Sequence, residues 1–284
     1  RGFLPNTYEG QVAYADYLPN INFIIESAKF FVKDNALVTL LWIVSSSYFV
    51  FRLLLKKSFE RDFLFINLWV IMLPLVSSVV APNWRHHGRY LIPLIPFINV
   101  VAVYMLRIVL ESERVKSVGL VKKIVVVSIV ILSLRTAVAY AGVLGWNVQN
   151  INEQQGRIAR WMQANLPDEK AFGMNDIGII TFTTKKYVVD MVGLVTPDIL
   201  AFHAMSDKEE GTRQLFRYLK AKGVNYIIIY PHWFEYLTAN YSDSFQEVYS
   251  ARLEKNTICG GAEMVVYKID WEKVETKWRT TPGG

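Results

Sequence analysis

The chain has a single cysteine, Cys259, which excludes an internal disulfide and leaves the redox compartment undecided. It has no Gly-rich phosphate loop, no Gly-x-Ser-x-Gly nucleophile elbow and no Cys/His set at zinc-ligand spacing, so none of the common catalytic signatures marks an active site. No internal repeat or low-complexity segment is present. The chain opens on Arg1-Gly2-Phe3-Leu4-Pro5-Asn6, with neither an initiator Met nor the charged start of a signal peptide, from which we expect further chain upstream. Charge is scarce in the first half. Segment 63–82 carries none, and segments 36–55, 90–110 and 124–145 carry one arginine each: Arg52, Arg107 and Arg135.

What fills those segments is apolar. Apolar residues make up 52% of the 284 and the mean hydropathy is positive. A helix crosses a hydrocarbon core about 30 Å thick with roughly 20 apolar residues, and all four segments meet that length without a polar face. The sequence therefore predicts a multi-pass helical membrane region over 36–145, preceded by a mixed segment, 1–35. From Trp146 onward charged, apolar and turn residues alternate as in a globular domain.

Lys and Arg favour the cytoplasmic loops. The loop after the first segment holds Arg52, Lys56, Lys57 and Arg61. The loop after the third holds Arg107, Arg114, Lys116, Lys122 and Lys123. The intervening 83–89 loop holds only Arg85 and Arg89. This asymmetry predicts that residues 1–35, the 83–89 loop and the 146–284 domain lie on the outer face. The net charge of +6 is largely this flanking bias, so no nucleic-acid surface is read into it.

Within 1–35, Ile21, Ile24, Ile25, Ala28, Phe31 and Val32 recur at three and four, predicting an amphipathic helix on the outer membrane surface or against the outer domain. Pro93 and Pro96 predict a kinked or unwound start to the third span. Beyond Trp146 we expect a helix over 147–165, strands over 171–174, 187–191, 226–230, 245–253 and 264–269, and a helix over 208–222. Single strands alternating with helices indicate a small, mixed α/β layer fold.

Polar residues at membrane depth carry the site candidates. Arg89, with Tyr90 beside it, stands at the outer edge of the third span, where a guanidinium holds a phosphate by two parallel hydrogen bonds or snorkels to headgroups. Arg85, His86 and His87 crowd the same edge into a local anion site. The two histidines are adjacent, about 100° apart on a helix, which disfavours a shared metal; hydrogen bonding to sugar or phosphate, or interfacial placement, suits them better. Arg135, near the middle of the fourth span, costs at least a few kcal/mol unless it finds a carboxylate, carbonyl or lipid phosphate. In the C-terminal domain Asp176 and Asp190 are expected as a helix cap and a turn-former, and His203 and His232 as lone histidines.

The order Leu4-Pro5-Asn6-Thr7-Tyr8, Arg89-Tyr90-Leu91-Ile92-Pro93-Leu94-Ile95-Pro96, Trp161-Met162, Leu166-Pro167, Asn175-Asp176-Ile177-Gly178 and Val189-Asp190-Met191-Val192-Gly193-Leu194-Val195-Thr196-Pro197 resembles the C-terminal part of bacterial GT-C glycosyltransferases. These are relatives of the protein mannosyltransferase and aminoarabinose transferase group. The resemblance covers nearly all of the chain and says nothing about the sugar. It implies an enzyme of the bacterial cytoplasmic membrane that moves a sugar from a polyprenyl-phosphate donor to a glycan, lipid or protein acceptor on the outer face, with no metal implied. An Asp or Glu in the first outer loop serves as general base in such enzymes, and that loop would precede Arg1, so this portion alone is expected to be inactive. Arg89 matches the arginine of the family's Arg-Tyr-x-x-Pro segment, and Arg85, His87, Tyr90 and Arg135 join it as candidates for the lipid-phosphate site. One departure stands out. Where the family commonly continues Pro-Asn-Thr with Tyr-Ala-Lys, this chain has Glu9-Gly10-Gln11, so a phosphate-binding lysine is missing. The rival reading is a non-catalytic transporter or polysaccharide-assembly protein whose outer domain binds its partner.

Overall fold

A computed structural model of the chain describes residues 18–55, 61–80, 88–111 and 119–280. Its contacts divide it into two compact units, one ending at Gly142 and one starting at Val143.

The first unit is helical. It contains α1 (Ile21–Leu54), α2 (Arg61–Val80), a 3-10 turn (Ile92–Leu94), α3 (Ile95–Glu111) and the first part of α4 (Gly119–Glu153). Among the described residues four helices are long and apolar enough to cross a membrane: Ile21–Leu54, Phe63–Val80, Ile92–Glu111 and Lys122–Asn165. At 1.5 Å per residue even the 18-residue stretch in α2 spans about 27 Å.

The amphipathic segment expected over 21–32 falls in the first half of α1, which a break at Asn35 divides from the half that follows. Phe23, Ser27, Phe30 and Phe31 are buried, whereas Ile21, Ile25 and Val32 point outward. Phe30 and Phe31 pack in one cluster with Val70 of α2 and with Leu91, Leu94 and Ile98 at the start of α3.

α1 breaks at Asn35, whose backbone is extended (φ −156°, ψ 104°). A break strands carbonyls and amides that an apolar surrounding cannot satisfy, and side chains take them up. Asn35 accepts from the Val38 amide at 3.2 Å, as an N-cap does, and donates to Ser133 Oγ of α4 at 2.9 Å. Thr39 Oγ1 donates to the Phe31 carbonyl at 2.8 Å, and Thr136 Oγ1 of α4 donates to the Asp34 carbonyl. α1 and α2 are joined by buried Asn67, whose Oδ1 accepts from Trp42 Nε1 at 3.1 Å and from Ser46 Oγ. Polar glue of this kind is how helices without a hydrophobic contrast recognise each other.

The second unit is a mixed α/β domain. After α4 come α5 (Gln155–Asn165), β1 (Ala171–Met174), α6 (Gly178–Thr184), β2 (Tyr187–Asp190), α7 (Asp198–His203) and α8 (Lys208–Ala221). Then follow β3 (Tyr226–Ile229), a 3-10 turn (Pro231–Trp233), α9 (Glu235–Asn240), β4 (Phe245–Arg252), β5 (Glu263–Ile269) and α10 (Trp271–Thr280). The sheet order is β2-β1-β3-β5-β4, with β2, β1 and β3 parallel and β5 and β4 antiparallel to their neighbours. β3 is central and buried at all four positions, as its unbroken apolar run requires of a strand covered on both faces.

Alternate β3 residues feed two cores. Ile227 and Ile229 pack with Leu215, Phe216 and Leu219 of α8, while Tyr226 and Ile228 pack with Ile158 and Met162 of α5 and Ile180 of α6. α8 begins at Asp207, which accepts from the amides of Glu209 and Glu210, so both donors and dipole favour the acidic first turn. The helix expected over 147–165 is not one element, since α4 runs unbroken to Glu153 and the break falls at Gln154 (φ −104°, ψ −82°).

Candidate functional site

The third apolar segment starts as its prolines predict. Residues 88–94 form turns and a 3-10 helix before the α-helix begins at Ile95; the Leu91 amide donates to the Gly88 carbonyl at 2.8 Å, and the Leu94 amide to the Leu91 carbonyl at 2.9 Å. Gly88 is buried with φ +70°, a conformation that a side chain would strain. Leu91 and Leu94 sink into the helical core and anchor the turn. Arg89 and Tyr90, between these anchors, are left facing outward. Arg89 Nη2 donates to the Tyr90 hydroxyl at 3.0 Å, and its guanidinium carbon lies 5.0 Å from the Tyr90 ring centre. Among the described residues no carboxylate pairs with Arg89, so its charge is available to an anion.

Of the predicted site, Arg89 and Tyr90 are thus together. Arg85, His86 and His87 lie outside the described residues. Arg135 is exposed partway along α4 and makes no hydrogen bond or ion pair among the described residues, and the structure shows no contact between it and Arg89.

A second polar cluster escaped the sequence reading. It lies at the carboxyl ends of the parallel strands β1 and β3, where the chain leaves β1 toward β2 on one side and β3 flanks β1 on the other. Open α/β sheets bind ligands at such crossover points. Here Tyr230, fully buried, donates from its hydroxyl to Gln154 Oε1 at 2.9 Å or Asp176 Oδ2 at 3.3 Å, and accepts from Gln155 Nε2 at 2.9 Å. Gln155 Nε2 also reaches Asp176 Oδ2 at 2.8 Å, and Cys259 Sγ lies 3.5 Å from Gln155 Oε1. Asp176 is therefore not the expected cap: α6 starts at Gly178 without a side-chain cap, and the carboxylate turns inward to this cluster.

The electrostatics argue for a lock and against a reactive centre. Burial, reinforced by the Asp176 charge, pushes the Tyr230 phenol far above its ordinary range. Burial likewise pushes the Cys259 thiol up to about 11; Asp176 adds to this while Gln155 opposes it. A thiol so protonated is a poor nucleophile at neutral pH. The donors and acceptors of Gln154, Gln155, Tyr230 and Asp176 satisfy one another, tying the α4–α5 break to the crossover. Gln154 Nε2 extends the tie to the Gly261 carbonyl at 3.1 Å.

The remaining candidates are structural. Asp190 forms its turn as expected, accepting from the amides of Val192 and Val195 at 2.9 Å each. His203 is not without a partner, since its Nε2 lies 2.7 Å from the Met191 carbonyl. His232 sits exposed on the Pro231–Trp233 turn. No group of three His, Cys, Asp or Glu residues among the described ones is placed to hold a metal.

The fold thus joins membrane-length apolar helices to a mixed α/β domain. Residues 149–281, which make up that domain, match a family model described as a domain of unknown function (DUF8728). No curated protein matches the chain.

Proposed function

We propose that this chain is the C-terminal portion of a GT-C type membrane glycosyltransferase, which moves a sugar from a polyprenyl-phosphate donor to an acceptor on the outer face of the membrane. The observation that carries the reading is the Arg89–Tyr90 pair: a cation without a carboxylate partner among the described residues, held outward by an unwound turn at the end of an apolar helix. A guanidinium in that setting suits the charge that develops on a departing lipid phosphate, and the ring fixes its direction. The outward faces of the four apolar helices favour a hydrocarbon solvent, and the Lys/Arg bias of the loops favours an extracytoplasmic C-terminal domain. The order of short motifs shared with the family supplies the chemistry. The general base belongs to the outer loop expected upstream.

The test is transfer from a polyprenyl-phosphate sugar in membranes that carry the full-length protein. We expect Arg89→Ala to lower turnover by about 10²-fold or more, the cost of deleting one charge-stabilising donor, with partial recovery in Arg89→Lys. Normal turnover in Arg89→Ala sinks the site, and no transfer by the intact protein turns the reading to a non-catalytic polysaccharide-assembly protein.

A further inference from the structure

A cleft of about 230 Å³ opens in the C-terminal domain between α7, α8 and the 231–237 segment. Its floor is apolar, from Leu215 and Phe234, and its rim is aromatic and polar: Trp233, Tyr236, His203, Thr212, Glu235 and Lys208. Trp233 is 44% exposed although it is a large apolar ring, and it is pinned there. Its Nε1 donates to the Gly260 carbonyl at 3.2 Å, and its ring centre lies 5.5 Å from that of Tyr230. Gly260 leaves room for this tilted ring pair, since a Cβ there would come within 2.7 Å of both the Trp233 and the Tyr230 ring.

An exposed ring held rigid beside converging hydrogen-bonding groups fits one ligand chemistry better than others. A pyranose has a flat face of C–H bonds that lies on an indole and a rim of hydroxyls that each need both donors and acceptors. The rim offers both. In the neutral ring His203 bears its hydrogen on Nε2 toward Met191, which leaves Nδ1 as an acceptor. The Glu235 carboxylate has no hydrogen-bond partner among the described residues, and Lys208 supplies donors. Glu235 and Lys208 give the lining one carboxylate and one ammonium, which leaves it near neutral and suits an uncharged sugar over a phosphate or a basic peptide. The geometry points to a saccharide-binding cleft for a neutral sugar, with Trp233 as its stacking platform. This goes beyond the transferase reading and does not rest on it.

The experiment is saturation-transfer NMR on the full chain in a sugar-free detergent, with cellotriose, mannotriose and chitotriose as probes. Transfer to ring C–H protons of at least one trisaccharide is expected. It should weaken about tenfold or more in Trp233→Ala, the loss of one stacking contact, persist in Trp233→Phe, and stay unchanged in Val138→Ala. Should Trp233→Ala lose its thermal unfolding transition, Glu235→Gln takes its place, with the same weakening expected. No transfer to any of the three, or transfer equally strong in the folded variant, overturns the proposal.

Discussion

The two units use the same residue types in opposite directions. In α3 and α4, Val103 and Val138 are 63% and 74% exposed, and polar side chains help to join the helices, among them Asn35, Thr136 and Asn67. In the C-terminal domain Ile227, Ile228 and Ile229 are fully buried, while Lys, Arg and Glu cover the outside. Apolar burial therefore holds the second unit together. The first buries a smaller apolar cluster around Phe30, Phe31, Val70, Leu91 and Leu94 and adds hydrogen bonds at a few points, because helices apolar on every side gain little by turning one face rather than another toward a neighbour.

Core truncation tests this contrast most severely. Ile228→Ala, which empties a site between β3 and helices α5 and α6, should destabilise the C-terminal domain by about 2–5 kcal/mol, read as a fall in its unfolding midpoint. Tyr230→Phe should follow at about 1–3 kcal/mol, because Gln154, Gln155 and Asp176 lose a shared partner while staying buried or half-buried. In the helical unit Asn67→Leu should cost about 0.6–1.7 kcal/mol, the range for an interhelical hydrogen bond among apolar helices. Val138→Ala, outward on α4, should stay within about 0.5 kcal/mol; a loss as large as that of Ile228→Ala would erase the comparison.

A pH titration sharpens it further. Burial pushes the Glu209 carboxyl up, but hydrogen bonds from Tyr241, Tyr236 and Arg213 outweigh burial and hold it below the usual carboxylate range. A carboxyl depressed in the folded state contributes stability above its unfolded pKa and loses it as pH falls through the folded value. Unfolding followed from pH 7 into the acid range should therefore show stability falling below about pH 4.5, and Glu209→Gln should flatten that part of the curve.

Much of the C-terminal fold was legible along the chain. The strand at 226–229 announced itself as a β-branched run closed by Pro231, and the other four strands fell within one or two residues of their alternating patterns. Their pairing was not legible. Nothing local says that β3 lies between β1 and β5, because that depends on which faces the helices cover. In the helical unit length and composition marked the helices, but not which residues of the first half of α1 pack inward on its neighbours, where Phe23, Ser27, Phe30 and Phe31 are buried. Ser27 sits inside with its hydroxyl donating to the Phe23 carbonyl, which a count of apolar residues does not register.

The sites divide in the same way. Arg89 stood out as a candidate because charge at the end of an apolar run is costly and conspicuous. The Tyr230 cluster was not, since Tyr230 reads as the end of an apolar strand and its partners stand 54 to 76 residues away. By itself the sequence determined where the chain is apolar enough to demand a partner or a non-aqueous solvent, and where strands and helices run, for these depend on residues near one another. Only the tertiary structure decided which polar groups meet: Asn35 with Ser133, Asp176 with Tyr230, and Trp233 with Gly260. A hydrogen bond needs two groups within about 3 Å of each other, and only the folded path of the chain sets that distance.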